Sequence, residues 1–191
     1  MCSYNSNNIE IEIEIRNTLT ILKNGGVILY PTDTIWGIGC DSTNEKAVDR
    51  IYNIKKRIKN KPLISLVCNI EMINKFTNSD QLRVELTQNP TTIIYQNVTG
   101  LTKSLITEEK TSALRITNDT FCNTLISQFG LPIVSTSANI SNEKIPKQFS
   151  EISKEIKENV DYIVNLRHDE IMKNPSTIIL INKDRSITKI R

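Results

Sequence analysis

Two apolar runs in this chain end in clusters of polar side chains, and no other feature constrains the fold as much. "GGVILY" (25–30) leads into "PTDT" (31–34), and "LPIV" (131–134) leads into "STSAN" (135–139). Short apolar runs bounded by turn residues read as buried strands. Polar groups at the end of such a strand must find internal partners or face a ligand. A third cluster, "PST" (175–177), adjoins the run "STIILI". Ser, Thr, Asp and Asn also cap helices and make turns, which accounts for any one cluster taken alone. Three in one chain point to a polar ligand site lined at strand ends.

The rest of the chain mixes strand and helix signals. "IEIEIEI" (9–15) has the period of a strand, but Ile11, Ile15, Leu19 and Leu22 continue at helical spacing up to the stop "NGG". A helix is expected over about 11–24, after a disordered N-terminus of residues 1–8. "STNE" (42–45) is a capping box, predicting a helix that starts there with Ala47, Val48, Ile51 and Ile54 on its apolar face. "PLISLVC" (62–68), "TTIIY" (91–95) and "SALRI" (112–116) read as strands, with short helices near 70–76 and 79–86 and a polar loop over 96–110. "DTFCNTLISQFG" (119–130) reads as a helix with its own cap, Asp119, and its own stop, Gly130. A helix near 149–158 and strands in "DYIVNL", "STIILI" and "SITKI" complete the pattern. No repeat or flexible linker divides the chain, so one α+β domain is expected over residues 9–191.

Composition excludes several chemistries. The only histidine is His168, which argues against a zinc site or a Ser-His-Asp triad. Cys2, Cys40, Cys68 and Cys122 form no C-x-x-C pair and read as reduced thiols of a cytoplasmic protein. No signal peptide and no apolar stretch of membrane-spanning length is present, so no membrane partner is expected. There is no GxxxxGK[ST] and no GxGxxG, so any nucleotide must bind without either common glycine loop. A net charge of +3 permits a polyanionic partner without demanding one.

The cationic candidates lie in "IKKRIKNK" (54–61) and in "ALRIT" (113–117). The first is either a solvated run complementing a helix dipole or a phosphate grip in which Lys55 and Arg57 point together into a cleft. Arg115 is the stronger cue. It interrupts an apolar strand, where a guanidinium is costly unless it is paired or faces an anion.

At these residues the chain resembles the YrdC/TsaC family of threonylcarbamoyl-AMP synthases, in its short single-domain form. The resemblance runs from about Ile11 to Arg191 through "GGVILYPTDTIWGIGCD", the K-x-R of Lys55 and Arg57 followed by "KPLISLV", "ALRIT", "PIVSTSANIS" and "PSTIIL". It implies a twisted mixed β-sheet flanked by helices, with a concave, positively charged cleft. It also implies an activity: L-threonine, bicarbonate and ATP give threonylcarbamoyl-AMP and pyrophosphate, with Mg2+ accompanying the ATP and no protein-ligated metal. The threonylcarbamoyl group then passes to tRNA, directly or through a threonylcarbamoyl-transferase complex. By motif, Thr34, Arg115, Ser135 and Ser176 match threonine contacts. Lys55, Arg57, Lys61, Thr111, Ser137, Asn139 and Arg191 match ATP contacts, and Lys55 and Arg57 are the implied catalytic cations. The chain departs from the family pattern at Ile58, where proline is usual, at Asn142, where glycine is usual, at Trp36, where tyrosine is common, and in "QNPTTIIY" (88–95), where many relatives carry W-P-G-P.

Two other functions use the same residues. A non-catalytic module could hold double-stranded RNA or tRNA with its Lys and Arg side chains. A carbamoyl-transfer domain acting on carbamoyl phosphate would share the fold, but such domains sit in longer chains with zinc motifs, which this sequence lacks.

Overall fold

The computed structural model describes residues 3–59, 63–77, 89–172, 174–182 and 186–191. Its centre is a nine-stranded mixed sheet: β1 (Ile28–Tyr30), β2 (Gly37–Gly39), β3 (Ile64–Val67), β4 (Thr91–Tyr95), β5 (Ser112–Ile116), β6 (Ile133–Ser137), β7 (Tyr162–Ile163), β8 (Thr177–Ile181) and β9 (Ile187–Lys189). The spatial order is β7-β1-β2-β6-β3-β5-β4-β8-β9. Pairs β1–β7, β3–β5 and β4–β8 are parallel and the others antiparallel. The helices are α1 (Ser3–Lys23), α2 (Glu45–Ile54), α3 (Ile70–Phe76), α4 (Thr120–Phe129) and α5 (Lys154–Asn159), with α1 packed on α4.

Register decides which side chains meet. Gly37 pairs with Ser137, Ile64 with Ser135 and Leu66 with Arg115. Paired residues, and residues two apart along a strand, share a face. Ser135, Ser137 and Arg115 therefore project from one side of three adjacent strands.

The helical period wins in "IEIEIEI". Ile15 and Leu22 are buried while Ile9 and Ile13 are exposed. Glu14 is buried because it accepts from the Tyr162 hydroxyl at 2.9 Å and the Asn165 N–H at 2.9 Å. The helix starts at Ser3, earlier than the position near 11 that the apolar spacing predicts. α4 carries its expected cap, Asp119, and stops at Gly130 with φ +80°.

Several local expectations are corrected. Ser42 does not cap α2. It is buried and donates to Ser65 at 2.9 Å, and Asn44 takes the cap by accepting from the Ala47 N–H. Glu45 accepts from Ser104 at 2.5 Å and from the Lys103 N–H at 3.1 Å. The helix expected over 149–158 breaks into a 3₁₀ turn (Phe149–Glu151) and α5, because Ser153 caps the latter through the Ile156 N–H. The polar loop contains a 3₁₀ turn at Lys103–Leu105. The helix expected near 79–86 lies outside the described residues.

β2 carries no apolar alternation in the sequence because two of its three residues are glycine. The glycines make room for Tyr30, whose buried ring lies against them and whose hydroxyl donates to the Val134 carbonyl at 3.1 Å. A Cβ on Gly39 would stand 2.6 Å from Tyr30 Cε1 and 2.4 Å from the Val134 oxygen. Gly39→Ala is therefore expected to lower stability by about 1–3 kcal/mol through overpacking. A urea titration should show an earlier midpoint at unchanged slope, and an unchanged midpoint would contradict this packing.

Candidate functional site

Arg115 is 3% exposed in the middle of the sheet. One Nη donates to Thr34 Oγ1 at 3.2 Å and the other to Asp33 Oδ1 at 3.0 Å. Its Nε is buried with no acceptor among the described residues. The anion that an arginine in this strand requires is thus supplied in part from within the chain, by Asp33 of the polar cluster that follows β1. The sequence marks this residue as needing a partner or a ligand without matching it to Arg115. The available signal was the lone carboxylate inside "PTDT".

The "PTDT" turn is held from both ends. The Thr32 hydroxyl donates to the Ile35 carbonyl at 2.8 Å and accepts from the Thr34 and Ile35 N–H groups. Its single proton being used there, Thr32 accepts from Thr34 Oγ1 at 2.9 Å, and Thr34 in turn accepts from Arg115. Arg167, also not anticipated, donates to the Thr32 carbonyl at 3.0 Å and to Asp119 Oδ2 at 2.8 Å. This ties the turn to the cap of α4.

Thr34, Arg57, Arg115, Ser135, Ser176 and Arg191 line one cavity of about 160 Å³. It shares Arg57, Ser137 and Ile145 with a more open pocket of about 440 Å³ that includes Lys55, Asn139 and Asn142. The first is below the usual range for drug-sized ligands and the second within it. Ser176 shares a hydrogen bond with Thr92 at 2.8 Å, and Arg191 donates to the Ser176 carbonyl at 3.0 Å. Burial, and then Arg115 nearby, hold the Arg191 guanidinium below its ordinary pKa. Thr111 lines neither pocket and bonds to Thr107 at 2.8 Å. Lys61 lies outside the described residues.

The basic run divides. Lys56 and Lys59 turn outward to Glu155 and Asp49, while Arg57 lines both pockets. Lys55 is only 2% exposed. Its ammonium donates to the Ser137 carbonyl, to the Asn139 carbonyl at 2.7 Å and, more weakly, to Asn139 Oδ1 at 3.4 Å. Ser137 Oγ donates to Asn139 Oδ1 at 2.5 Å, and Asn139 Nδ2 donates to the Glu143 carbonyl at 2.7 Å. The "STSAN" corner is therefore wrapped around a lysine. The loop beyond it turns at Asn142 with φ +70°, a left-handed conformation that asparagine tolerates better than most residues.

His168 stacks on Phe149 at 3.9 Å between ring centroids and is absent from the lining of both pockets. The Cys122 thiol, pushed well up by burial, donates to the Pro31 carbonyl at 3.4 Å. Among the described residues no group of three or more His, Cys, Asp or Glu side chains could hold a metal ion. None of the described helices is long and apolar enough to cross a membrane.

Comparison with known proteins gives concordant results. The profile of the Sua5, YciO and YrdC family, described as telomere recombination, matches residues 20–191. A Methanocaldococcus jannaschii protein is 34% identical over 93% of this chain and 86% of its own length. The threonylcarbamoyl-AMP synthase of Pseudoalteromonas translucida is 32% identical over 79% of this chain and 84% of its own length. The crystal structure of P. abyssi Sua5 complexed with L-threonine superposes with a TM-score of 0.80 at 22% identity, over 93% of this chain and 53% of that one. This chain thus spans about half the length of Sua5.

Burial, followed by the Arg57 charge, pulls the Lys55 ammonium down to about 7. The unfolded lysine keeps its proton up to ~10.4. Between these values the unfolded chain binds more protons, so this group makes stability rise with pH from about 7 towards 10. Denaturant titrations across that window should show a steeper rise for the wild type than for Lys55→Met, and equal slopes would count against a strained ammonium at this position.

Proposed function

Because this chain belongs to the Sua5, YciO and YrdC family, we propose that it is an L-threonylcarbamoyladenylate synthase, a nucleotidyltransferase that joins L-threonine, bicarbonate and ATP and releases pyrophosphate. At residue level one observation carries the proposal: a buried arginine on the wall of a small cavity lined by hydroxyls. A carboxylate is the ligand group that a planar guanidinium suits.

In this scheme the smaller cavity takes threonine. Arg115 holds its carboxylate, and Thr34, Ser135 and Ser176 supply hydroxyls. ATP occupies the larger pocket, with its phosphates at Arg57 and Lys55 and further contacts from Ser137 and Asn139, and extends towards Arg191 on the smaller cavity; Thr111, which lines neither pocket, takes no part in this scheme. Arg57, Lys55, Arg115 and Arg191 together make the cleft positive. Threonine's neutral amine adds to CO2 with loss of a proton, or condenses with bicarbonate with loss of water, to give a carbamate. A carbamate oxygen then attacks the α-phosphorus, and pyrophosphate leaves.

Arg57 and Ser137 line both cavities and so hold the reactants in one place, which is where most of the acceleration of such a reaction arises. Mg2+ would come with the triphosphate and neutralise its developing charge. The product serves tRNA modification, reaching tRNA directly or through a threonylcarbamoyl-transferase complex.

The test is pyrophosphate release from ATP and bicarbonate with different amino acids. Threonine is expected to be the best substrate, serine weaker and valine inactive, because a site built around hydroxyls loses about 1–3 kcal/mol for each polar group left unpaired. Equal rates with valine would overturn the assignment. Arg57→Ala is expected to weaken calorimetric ATP binding by about tenfold or more, since a charge-assisted contact is worth about 1.5–3 kcal/mol, with little change in melting temperature. Unchanged ATP affinity would remove Arg57 from the phosphate site.

A further inference from the structure

Asp33 stands at an unusual place for a charged side chain. It is 14% exposed, and Arg115 is its one hydrogen-bonding partner among the described residues. An ionised carboxylate offers about four acceptor positions, and here only Oδ1 is used.

Asp33 lines a further pocket of about 360 Å³, which shares Thr34 and Pro175 with the smaller cavity. The ion pair therefore straddles the wall between two adjoining spaces, with the guanidinium on one side and the carboxylate on the other. Glu170 also lines this pocket, but it is paired with Arg167 at 3.5 Å. Among the described residues the smaller cavity is lined by three arginines and no carboxylate.

A free amino acid is a zwitterion. Three guanidinium groups attract its carboxylate and repel its ammonium. A site for it needs a negative group a few ångströms from the one that grips the carboxylate. Asp33 does not line that cavity, but its Oδ1 is 3.0 Å from an Arg115 Nη and it faces the adjoining pocket. An amino acid whose carboxylate is on Arg115 therefore reaches it by passing its ammonium beyond Thr34 and Pro175, which line both spaces.

We propose that Asp33 is a specificity-determining residue that accepts hydrogen bonds from the α-ammonium group of the amino-acid substrate, while Arg115 beside it takes the α-carboxylate. The inference rests on the threonine site proposed above and adds the group that reads the amine. In this arrangement Oδ1 stays on Arg115 and Oδ2 turns to the substrate.

The rival role for Asp33 is only to neutralise Arg115. The two roles separate with a ligand that keeps threonine's carboxylate and β-hydroxyl but carries a hydroxyl in place of the amine, 2,3-dihydroxybutanoate. Calorimetric titration of the wild type should show threonine bound about ten- to a hundredfold more tightly than this analogue, the difference a charge-assisted hydrogen bond makes. In Asp33→Asn the threonine affinity should fall to the level of the analogue, whose own affinity should change less than about twofold. Equal loss of both ligands in Asp33→Asn would overturn the proposal, because it would show that Asp33 acts solely through Arg115.

If the variant does not fold, the wild-type comparison still decides: equal affinity for the two ligands removes any reading of the ammonium. A wild type that binds neither ligand and releases no pyrophosphate with threonine refutes the threonine site itself, and this inference with it.

Discussion

A positive charge buried in the middle of a sheet has to be answered, and much of the cleft is the answer to Arg115. Its strand neighbours are apolar, so the anion must come from elsewhere in the chain. The "PTDT" turn brings it, and that turn is fixed by Thr32 folding back on its own backbone and by Arg167 from a distant loop. Arg167 in turn is held by Asp119, whose other oxygen caps α4. The site and the helix packing are thus linked through shared carboxylates, and the geometry around Arg115 is over-determined, as preorganised sites require.

Lys55 plays the corresponding part on the other wall. Three acceptors from Ser137 and Asn139 surround its ammonium, so the corner between β6 and the following loop is built about a cation. The same side chain lies on the wall of the larger pocket. A lysine so placed shapes the loop from within. Its pKa near 7 reflects that tension between burial and charge.

Much of this was legible in the amino-acid sequence, and what was not has physical causes. Long periodic segments such as α2 and α4, and the apolar strands β3 to β6, are visible because burial imposes a pattern. Arg115, Ser135 and Ser176 could be singled out because polar groups in apolar runs are anomalous. β2 was hidden because its glycines serve Tyr30 and not the strand period. The capping box at Ser42 misled because tertiary burial of that hydroxyl overrides local capping. Arg167 went unnoticed, and Asp33 was visible in its cluster but not as the partner of Arg115, since each matters through a residue far away in the chain and long-range pairing leaves no local trace. The basic run was ambiguous for a similar reason: only the fold sorts Lys55 and Arg57 inward from Lys56 and Lys59 outward.

The strand order has a consequence for the birth of the molecule. β1 and β2 are near the start of the chain, yet their outer neighbours are β7 and β6, which belong to residues 162–163 and 133–137. As the chain leaves the ribosome, the first hairpin carries fully buried residues and two unpaired edges, and it must wait for most of the remaining polypeptide before either edge is covered. Distant pairing of this kind slows folding and leaves sticky intermediates open to association. Arg115 and Asp33 likewise meet only after the middle of the chain has docked, so the candidate site is assembled late.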